Sequence, residues 1–444
     1  MMDNARINEL FGVTESYQLP DRLMMVLRDE NERVKMFHAF RDELEGNLEK
    51  DIFCDYFQEQ HANRESLMQD FTPPMLAEAL AKLATTDSFS KCRDVCAGTG
   101  QLTIAAWKTN READFYCEEL SERAFPILLF NMAIRNMAGY AINKDVLTGR
   151  FIKGFALKKG EAFSCIEEID KEPEGQDAAD IVITNPPYSL SHKWNEKEKD
   201  PRFDGYCYPP SKAADYAFIL HGLSHLKTSG TLAAILPHGV LFRGGKEAQI
   251  RRKLIENGLL SAIVGLPEKL FLNTSIPVCF MIFRKMTDDA SGVLFIDASK
   301  HYEKGKKQNF MRREDVERIL EASKKRGEIE RLSHLATMTE MEKNDYNLNI
   351  PRYVDTIEKE PPIDIVEVTR NLVAIENEIE QRKAELYDLL MELECRTPED
   401  TAAVRTHLAL MKPRTAPATK QKLKPKPKPA AKAGVRYDQA SLFD

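Results

Sequence analysis

Ile181-Val182-Ile183-Thr184-Asn185-Pro186-Pro187-Tyr188 is the stretch on which the reading of this chain turns. Its first four residues are β-branched and nearly all apolar, as expected of a strand buried on both faces. The two prolines then end the strand, because neither can donate to a sheet ladder. An amide, a backbone carbonyl and an aromatic ring are thereby set at a strand's carboxyl end, where open α/β sheets bind ligands and carry out chemistry.

Outward from this strand, residues 71–290 alternate short apolar runs with amphipathic helical stretches, the βαβ pattern of a parallel sheet covered on both faces. Strands are predicted at 93–96, 114–117, 140–142, 181–184, 231–236, 261–265 and 278–283. The expectation is a doubly wound α/β fold around a seven-stranded, mostly parallel sheet. Residues 1–70 carry dense charge and apolar residues at helical spacing (Phe37, Phe40, Leu44, Leu48, Ile52, Phe53), which predicts an N-terminal helical region. Residues 291–410 are predicted as a C-terminal helical region. Within it, at 365–393, Ile365, Val368, Leu372, Ile375, Ile379, Leu386, Leu389 and Leu393 trace an a/d seam interrupted by Arg382. Such a seam suits a helix packed on its own domain as well as a coiled coil with a second copy or another subunit. The Lys-Pro alternation within 411–444 cannot build a core, and a disordered basic tail is expected there.

Composition bounds the function classes. Of 444 residues, 43% are hydrophobic and 30% charged, the balance of a soluble globular protein with a sizeable core. The start, Met1-Met2-Asp3-Asn4, lacks a basic region followed by an apolar one, and the most apolar window, 125–134, is short and contains Asn131. A cytoplasmic location without a membrane span is therefore expected. Eight cysteines are scattered with no Cys-x-x-Cys pair, so neither a disulfide framework nor a metal centre is expected. The net charge of −7 conceals nine Lys or Arg and no acid between 411 and 436, so the body is more acidic than the total. That sign argues against a protein that coats nucleic acid while leaving room for one basic cleft.

Asp94-Val95-Cys96-Ala97-Gly98-Thr99-Gly100 closes the first predicted strand and leads into a helix at 102–109. Glycines at 98 and 100 allow a tight turn and a close approach of backbone to ligand. Glu119 stands at the end of the second strand, where a carboxylate can hold a ribose hydroxyl pair. Glu118 is its alternative, because strand ends shift by a residue or two. Ile104 and Ala105 follow where a dinucleotide fingerprint would carry its third glycine, so a smaller nucleoside is expected in place of a pyrophosphate-bearing cofactor.

Together these residues resemble the S-adenosylmethionine-dependent methyltransferases and, in detail, the adenine-specific DNA methyltransferases. Phe71-Thr72-Pro73 resembles the segment that packs near the methionine end of the cofactor. Asp94, Ala97, Gly98 and Gly100 match the glycine loop, Glu119 the ribose acid, and Asp145 the acid after the third strand that contacts the cofactor's adenine. The likeness continues through Leu236-Pro237-His238-Gly239-Val240-Leu241-Phe242-Arg243-Gly244-Gly245, Ile250-Arg251, Gly265-Leu266-Pro267, Phe271, Ile276-Pro277 and Asn344-Asp345-Tyr346-Asn347-Leu348-Asn349. Over about 70–355 the chain is similar to the modification subunit of type I restriction-modification systems, although only 93 residues precede Asp94, fewer than the family usually has. The resemblance implies a Rossmann-like class I fold and S-adenosylmethionine as cofactor. It also implies double-stranded DNA with a flipped adenine as substrate, in a restriction-modification or orphan setting. A separate specificity subunit, or the loop 189–213, would then read the target sequence. Gln439, Leu442 and Phe443 at the tail tip resemble the peptide by which bacterial DNA-processing proteins dock on the replication sliding clamp.

The motif suits methyl transfer to an amine. The exocyclic nitrogen of adenine is a poor nucleophile because its lone pair is delocalised into the ring. If Asn185 and the Pro186 carbonyl accept its two N–H bonds, pyramidal nitrogen is favoured, and Tyr188, placed after Pro187 in the catalytic tetrapeptide, offers a face for the base. The same turn serves a protein glutamine or an RNA base, and a non-catalytic scaffold is the reading from a different class. No Pro-Cys dipeptide supplies the thiol that cytosine ring-carbon methylation needs. Cys207 receives no chemistry, and His238 is read as a turn residue.

Overall fold

The computed structural model describes residues 4–53, 56, 72–85, 88–175, 178–272, 274–284, 292–356 and 364–411. Two compact units result, Met1–Ile357 and Glu358–Asp444.

The first unit is built on one sheet of β1 (Lys91–Val95), β2 (Asp114–Glu119), β3 (Ala138–Asp145), β4 (Arg150–Lys158), β5 (Cys165–Ile169), β6 (Ala179–Thr184), β7 (Leu226–Pro237), β8 (Leu260–Gly265), β9 (Val278–Arg284), β10 (Val293–Asp297) and β11 (Ser333–Ala336). Their order across the sheet is β11-β10-β8-β9-β7-β6-β1-β2-β3-β4-β5. All seven predicted strands are present and contiguous in that order. Neighbours β7, β6, β1, β2 and β3 run parallel, and β9 is antiparallel between β7 and β8.

The expected seven-stranded, mostly parallel sheet is corrected to a mixed sheet of eleven strands. On one side the antiparallel β4 and β5 extend β3; on the other, β10 pairs parallel with β8 and β11 closes the edge. Edge strand β5 reads Cys-Ile-Glu-Glu-Ile, with its carboxylates facing water, which hides its strand character. Strand β10 is buried throughout but only five residues long and isolated in a polar stretch. Residues after 290 therefore do not start a helical region; β10 and β11 complete the sheet.

The pleat of the central strand separates two cores. Ile181 and Ile183 join the core that holds α4 (Pro74–Ala84), α5 (Gln101–Thr109) and α6 (Phe125–Ile134); Val182 joins the one that holds α7 (Asp215–Ser224) and α8 (Lys246–Glu256). Every residue of α6 is buried, which is why its window is the most apolar in the chain. The N-terminal helices α1 (Asn4–Phe11), α2 (Leu19–Arg28) and α3 (Glu30–Glu43) cover its outer side. Phe11, Phe37, Phe40 and Phe53 surround Phe130 with ring centroids at 5.9, 5.0, 5.1 and 5.4 Å. Each such pair adds roughly 0.5–1.5 kcal/mol beyond its buried area, so this region is fastened to the sheet's own core.

Between β10 and β11 lies α9 (Arg313–Lys325), and α10 (Met338–Lys343) follows β11. The second unit comprises α11 (Ile365–Met391) and α12 (Pro398–Met411). Asp364 caps α11 by accepting from the amides of Val366 and Glu367. No residue of α11 is buried, and its predicted seam stands in solvent, with Ile365 75% and Leu389 64% exposed. Among the described residues, no helix is long and apolar enough to cross a membrane. The tail and its Gln439, Leu442 and Phe443 lie outside the described residues.

Candidate active site

Strand β1 lies between β2 and β6, and the chain leaves β1 toward one side of the sheet and β6 toward the other. Loops that diverge from adjacent strand ends open a crevice between them. A cleft of about 930 Å³, counting its solvent-facing space, occupies that position. Its walls come from the loops after β1, β2, β3 and β6, and from Thr72.

The loop after β1 turns through Cys96, Gly98 and Gly100 at φ of 75°, 60° and 98°. A Cβ on Gly100 would sit 3.1 Å from Leu128 Cδ1, so both space and backbone conformation call for glycine there. The carboxylate of Glu119 reaches back to this loop, accepting from the Gly98 amide at 2.7 Å and the Ser121 amide at 2.6 Å. Burial raises its pKa, with those amides opposing the shift. Thr99 is tied from outside: it donates to Asp51 at 2.5 Å, and Asn131 donates to both Asp51 and the Thr99 carbonyl at 2.8 Å. The N-terminal segment thus braces the glycine loop, a contact that no local pattern announced.

Glu118 and Glu119 are adjacent but do different things. Glu118 is 0% exposed and bound by Arg93 at 2.8 and 3.1 Å, His221 at 3.1 Å and Lys144 at 3.4 Å. Burial alone would raise its pKa, but Arg93 and His221 outweigh it and hold the carboxyl well below the usual range. Its side chain is therefore committed to a buried ion cluster, leaving Glu119 as the acid of the pair that holds the cleft's loop.

Asp145, at the end of β3, stands in the cleft wall and accepts from the Leu147 amide at 3.0 Å. Asp94 does not line the cleft. It is 1% exposed behind the glycine loop, accepting from the Thr103 hydroxyl at 2.6 Å, while its Oδ1 has no hydrogen-bond partner among the described residues. Burial, with Glu119 and Glu118 nearby, pushes its pKa up to about 7. Ala97, Gly98, Thr72 and the whole of Asn185-Pro186-Pro187-Tyr188 do line the cleft, whereas Phe71 lies outside the described residues.

At the Asn185–Tyr188 turn, Asn185 Nδ2 donates to Thr72 Oγ1 at 2.9 Å, and the Tyr188 hydroxyl donates to Asn185 Oδ1 at 2.8 Å. Tyr188 is only 7% exposed, its ring edge-on to Phe271 with centroids 6.1 Å apart. Sequence reasoning missed the apolar wall of Leu102, Leu120, Val146, Leu147, Leu190 and Phe218. The only signal for Leu120 and Val146 was their place just past a strand end. Cys207 and His238 are not in the wall: Cys207 Sγ contacts the Lys246 carbonyl at 3.6 Å, and His238 Nε2 the Val278 carbonyl at 2.9 Å. Among the described residues no group of His, Cys, Asp and Glu is arranged to hold a metal.

The sequence profile of the family described as N-6 DNA methylase matches residues 49–361. The chain belongs to the N-6 DNA methylase family. A relative within it, the type I restriction enzyme MjaVIII methylase subunit of Methanocaldococcus jannaschii, is 35% identical over 322 residues, covering 69% of this chain and 53% of the relative. The MpnII methylase subunit of Mycoplasma pneumoniae is 26% identical over 338 residues, 73% of this chain and 60% of its own. Among solved structures, the type I restriction-modification methyltransferase subunit from Streptococcus thermophilus aligns with TM-score 0.57 at 35% identity, over 65% of this chain and 59% of that one. The modification subunit of a putative type I restriction enzyme from Vibrio vulnificus, at 16% identity and TM-score 0.50 over 73% and 66% of the two chains, shares the fold. This chain spans roughly half to three-fifths of the length of these first two N-6 DNA methylase relatives.

Proposed function

We propose that this chain transfers a methyl group from S-adenosylmethionine to the N6 amino group of adenine in DNA, as the modification subunit of a restriction system. The observation that carries the reading is the orientation of Asn185. Its amide hydrogen goes to Thr72, so its oxygen faces Tyr188 at the cleft. A carbonyl oxygen has two lone pairs, and the Tyr188 hydroxyl takes one. The target amine would approach this oxygen, with the Pro186 carbonyl as its second acceptor. Two acceptors at one amino group oppose delocalisation of its lone pair into the ring and favour attack. Holding two reactants in line contributes roughly 7–11 kcal/mol in well-oriented cases, and the apolar side chains in the wall would limit water at the reacting atoms. Bringing an adenine out of a duplex costs a few kcal/mol, which contact with the Tyr188 ring would partly offset.

The cleft fits S-adenosylmethionine on its own chemistry. Glu119 would hold the ribose hydroxyls, Asp145 the adenine edge, and the Ala97–Gly98 turn, free of side-chain bulk, the methionine end, with Thr72 and Asn185 beside the transfer position. When bound, the cofactor supplies an electrophilic methyl on a sulfonium. Asp94 supports this set from behind the loop. The exposed seam of α11 supports a further element of the proposal, a helical docking site for a specificity subunit.

The test is to incubate the protein with S-adenosylmethionine and unmethylated duplex DNA, digest the DNA and identify its nucleosides by mass spectrometry. N6-methyldeoxyadenosine is expected. A methylated cytosine in its place would overturn the assignment of the acceptor.

A further inference from the structure

The segment Pro237-His238-Gly239-Val240-Leu241-Phe242-Arg243-Gly244-Gly245 lies outside the cleft wall, yet one of its side chains reaches the catalytic turn. Ser189, directly after Tyr188, has φ of 52°, a left-handed conformation that a serine holds only when its surroundings impose it. Two groups impose it here. Asp215 is 0% exposed and accepts from the Ser189 amide at 2.9 Å. Arg243 donates to the other Asp215 oxygen at 3.1 Å and to the Ser189 hydroxyl at 2.9 Å. The same guanidinium nitrogen that bonds Asp215 also meets the buried Glu247 at 3.3 Å.

Gly239 makes room for this arrangement. A Cβ built there would lie 2.5 Å from Arg243 Nε and Nη2 and 2.7 Å from Cζ, so any larger residue displaces the guanidinium. Gly239 is not left-handed, and alanine suits its backbone. Its role is to leave space for Arg243.

We infer that Arg243 is a positioning residue for methyl transfer: acting through Asp215 and Ser189, it locks the backbone that follows Tyr188 and so fixes the Asn185–Tyr188 acceptor geometry. This rests on the function proposed above, but the lock itself is measurable without methyl transfer. An acceptor site displaced by about 1 Å can lose roughly a hundredfold in rate, while the residues proposed to hold the cofactor's ribose and adenine, Glu119 and Asp145, stand on other strands and are untouched.

The experiment compares the full chain with Arg243→Ala, Arg243→Lys, Gly239→Ala and the double variant Arg243→Ala/Ser189→Gly. Hydrogen exchange of a peptide spanning 186–192 is read alongside kcat for DNA methylation and the Kd for S-adenosylmethionine. Faster exchange by about tenfold or more is expected in Arg243→Ala and Gly239→Ala, with kcat down about ten- to a hundredfold and Kd within about twofold. Glycine adopts the left-handed conformation unaided, so the double variant should recover part of the lost kcat, which a general loss of stability would not allow. Should Arg243→Ala not fold, with Asp215 and Glu247 deprived of the guanidinium, Gly239→Ala carries the test because every charge remains. Unchanged exchange in Gly239→Ala, or equal losses in kcat and cofactor affinity, would overturn the inference. A wild-type chain protected at 186–192 but silent on DNA, both alone and in extract of the cells that make it, would sink the proposed function and leave the lock standing.

Discussion

The Tyr188 hydroxyl donates to the Asn185 side-chain oxygen at 2.8 Å, so the residue expected to receive the target base also holds the acceptor that the base would use. Tyr188→Phe keeps the ring and loses that bond. With a hydrogen bond worth about 0.5–1.5 kcal/mol net, kcat should fall about three- to tenfold while cofactor affinity holds. Thr72→Val removes the hydroxyl that accepts from the Asn185 amide in a part-buried site and should cost more than Thr72→Ser, which keeps that acceptor. Steady-state transfer of labelled methyl groups to DNA measures both.

The neighbours Glu118 and Glu119 should separate stability from binding. Glu118→Gln removes the charge that pairs with the buried Arg93 at 2.8 Å, and breaking a buried pair typically costs about 3–5 kcal/mol, so the unfolding midpoint in denaturant should drop sharply. Glu119→Gln replaces an acceptor of two backbone amides with a group that also donates. Cofactor affinity by calorimetry should weaken about tenfold or more, with a smaller loss of stability than Glu118→Gln shows.

Asp94 predicts a pH dependence of definite sign. Its folded pKa of about 7 lies above its ordinary 3.8, so the folded state holds the proton more tightly than the unfolded state does. That group's contribution to stability is full below about pH 4, declines as pH rises toward 7 and levels off above it. Asp94→Asn removes this dependence. Denaturant unfolding at pH 5 and pH 8 should show the wild type losing stability relative to the variant at the higher pH; a gain would contradict the burial described here.

Much of this was legible because both motifs are local. Asn185 to Tyr188 and Cys96 to Gly100 each follow a short apolar run, and strand-end turns are where sequence pattern and ligand chemistry coincide. Long-range partners left no such trace. Nothing near Thr99 announces Asp51, and nothing near Ser189 announces Arg243, because those contacts are made by the tertiary fold. The partner of Asp94 left no trace either: its carboxylate turns to the Thr103 hydroxyl behind the glycine loop, outside the cleft wall. Strands β5 and β10 were missed because one is a charged edge and the other only five residues long.

The central claim is that Asn185 presents the acceptor for an adenine amine. Single-molecule sequencing of DNA from cells carrying the intact chain or Asn185→Ala, with cofactor binding of both proteins confirmed by calorimetry, tests it most directly. N6-methyladenine at a defined sequence motif in the first and its disappearance in the second is the predicted result. Two indistinguishable methylomes would contradict it.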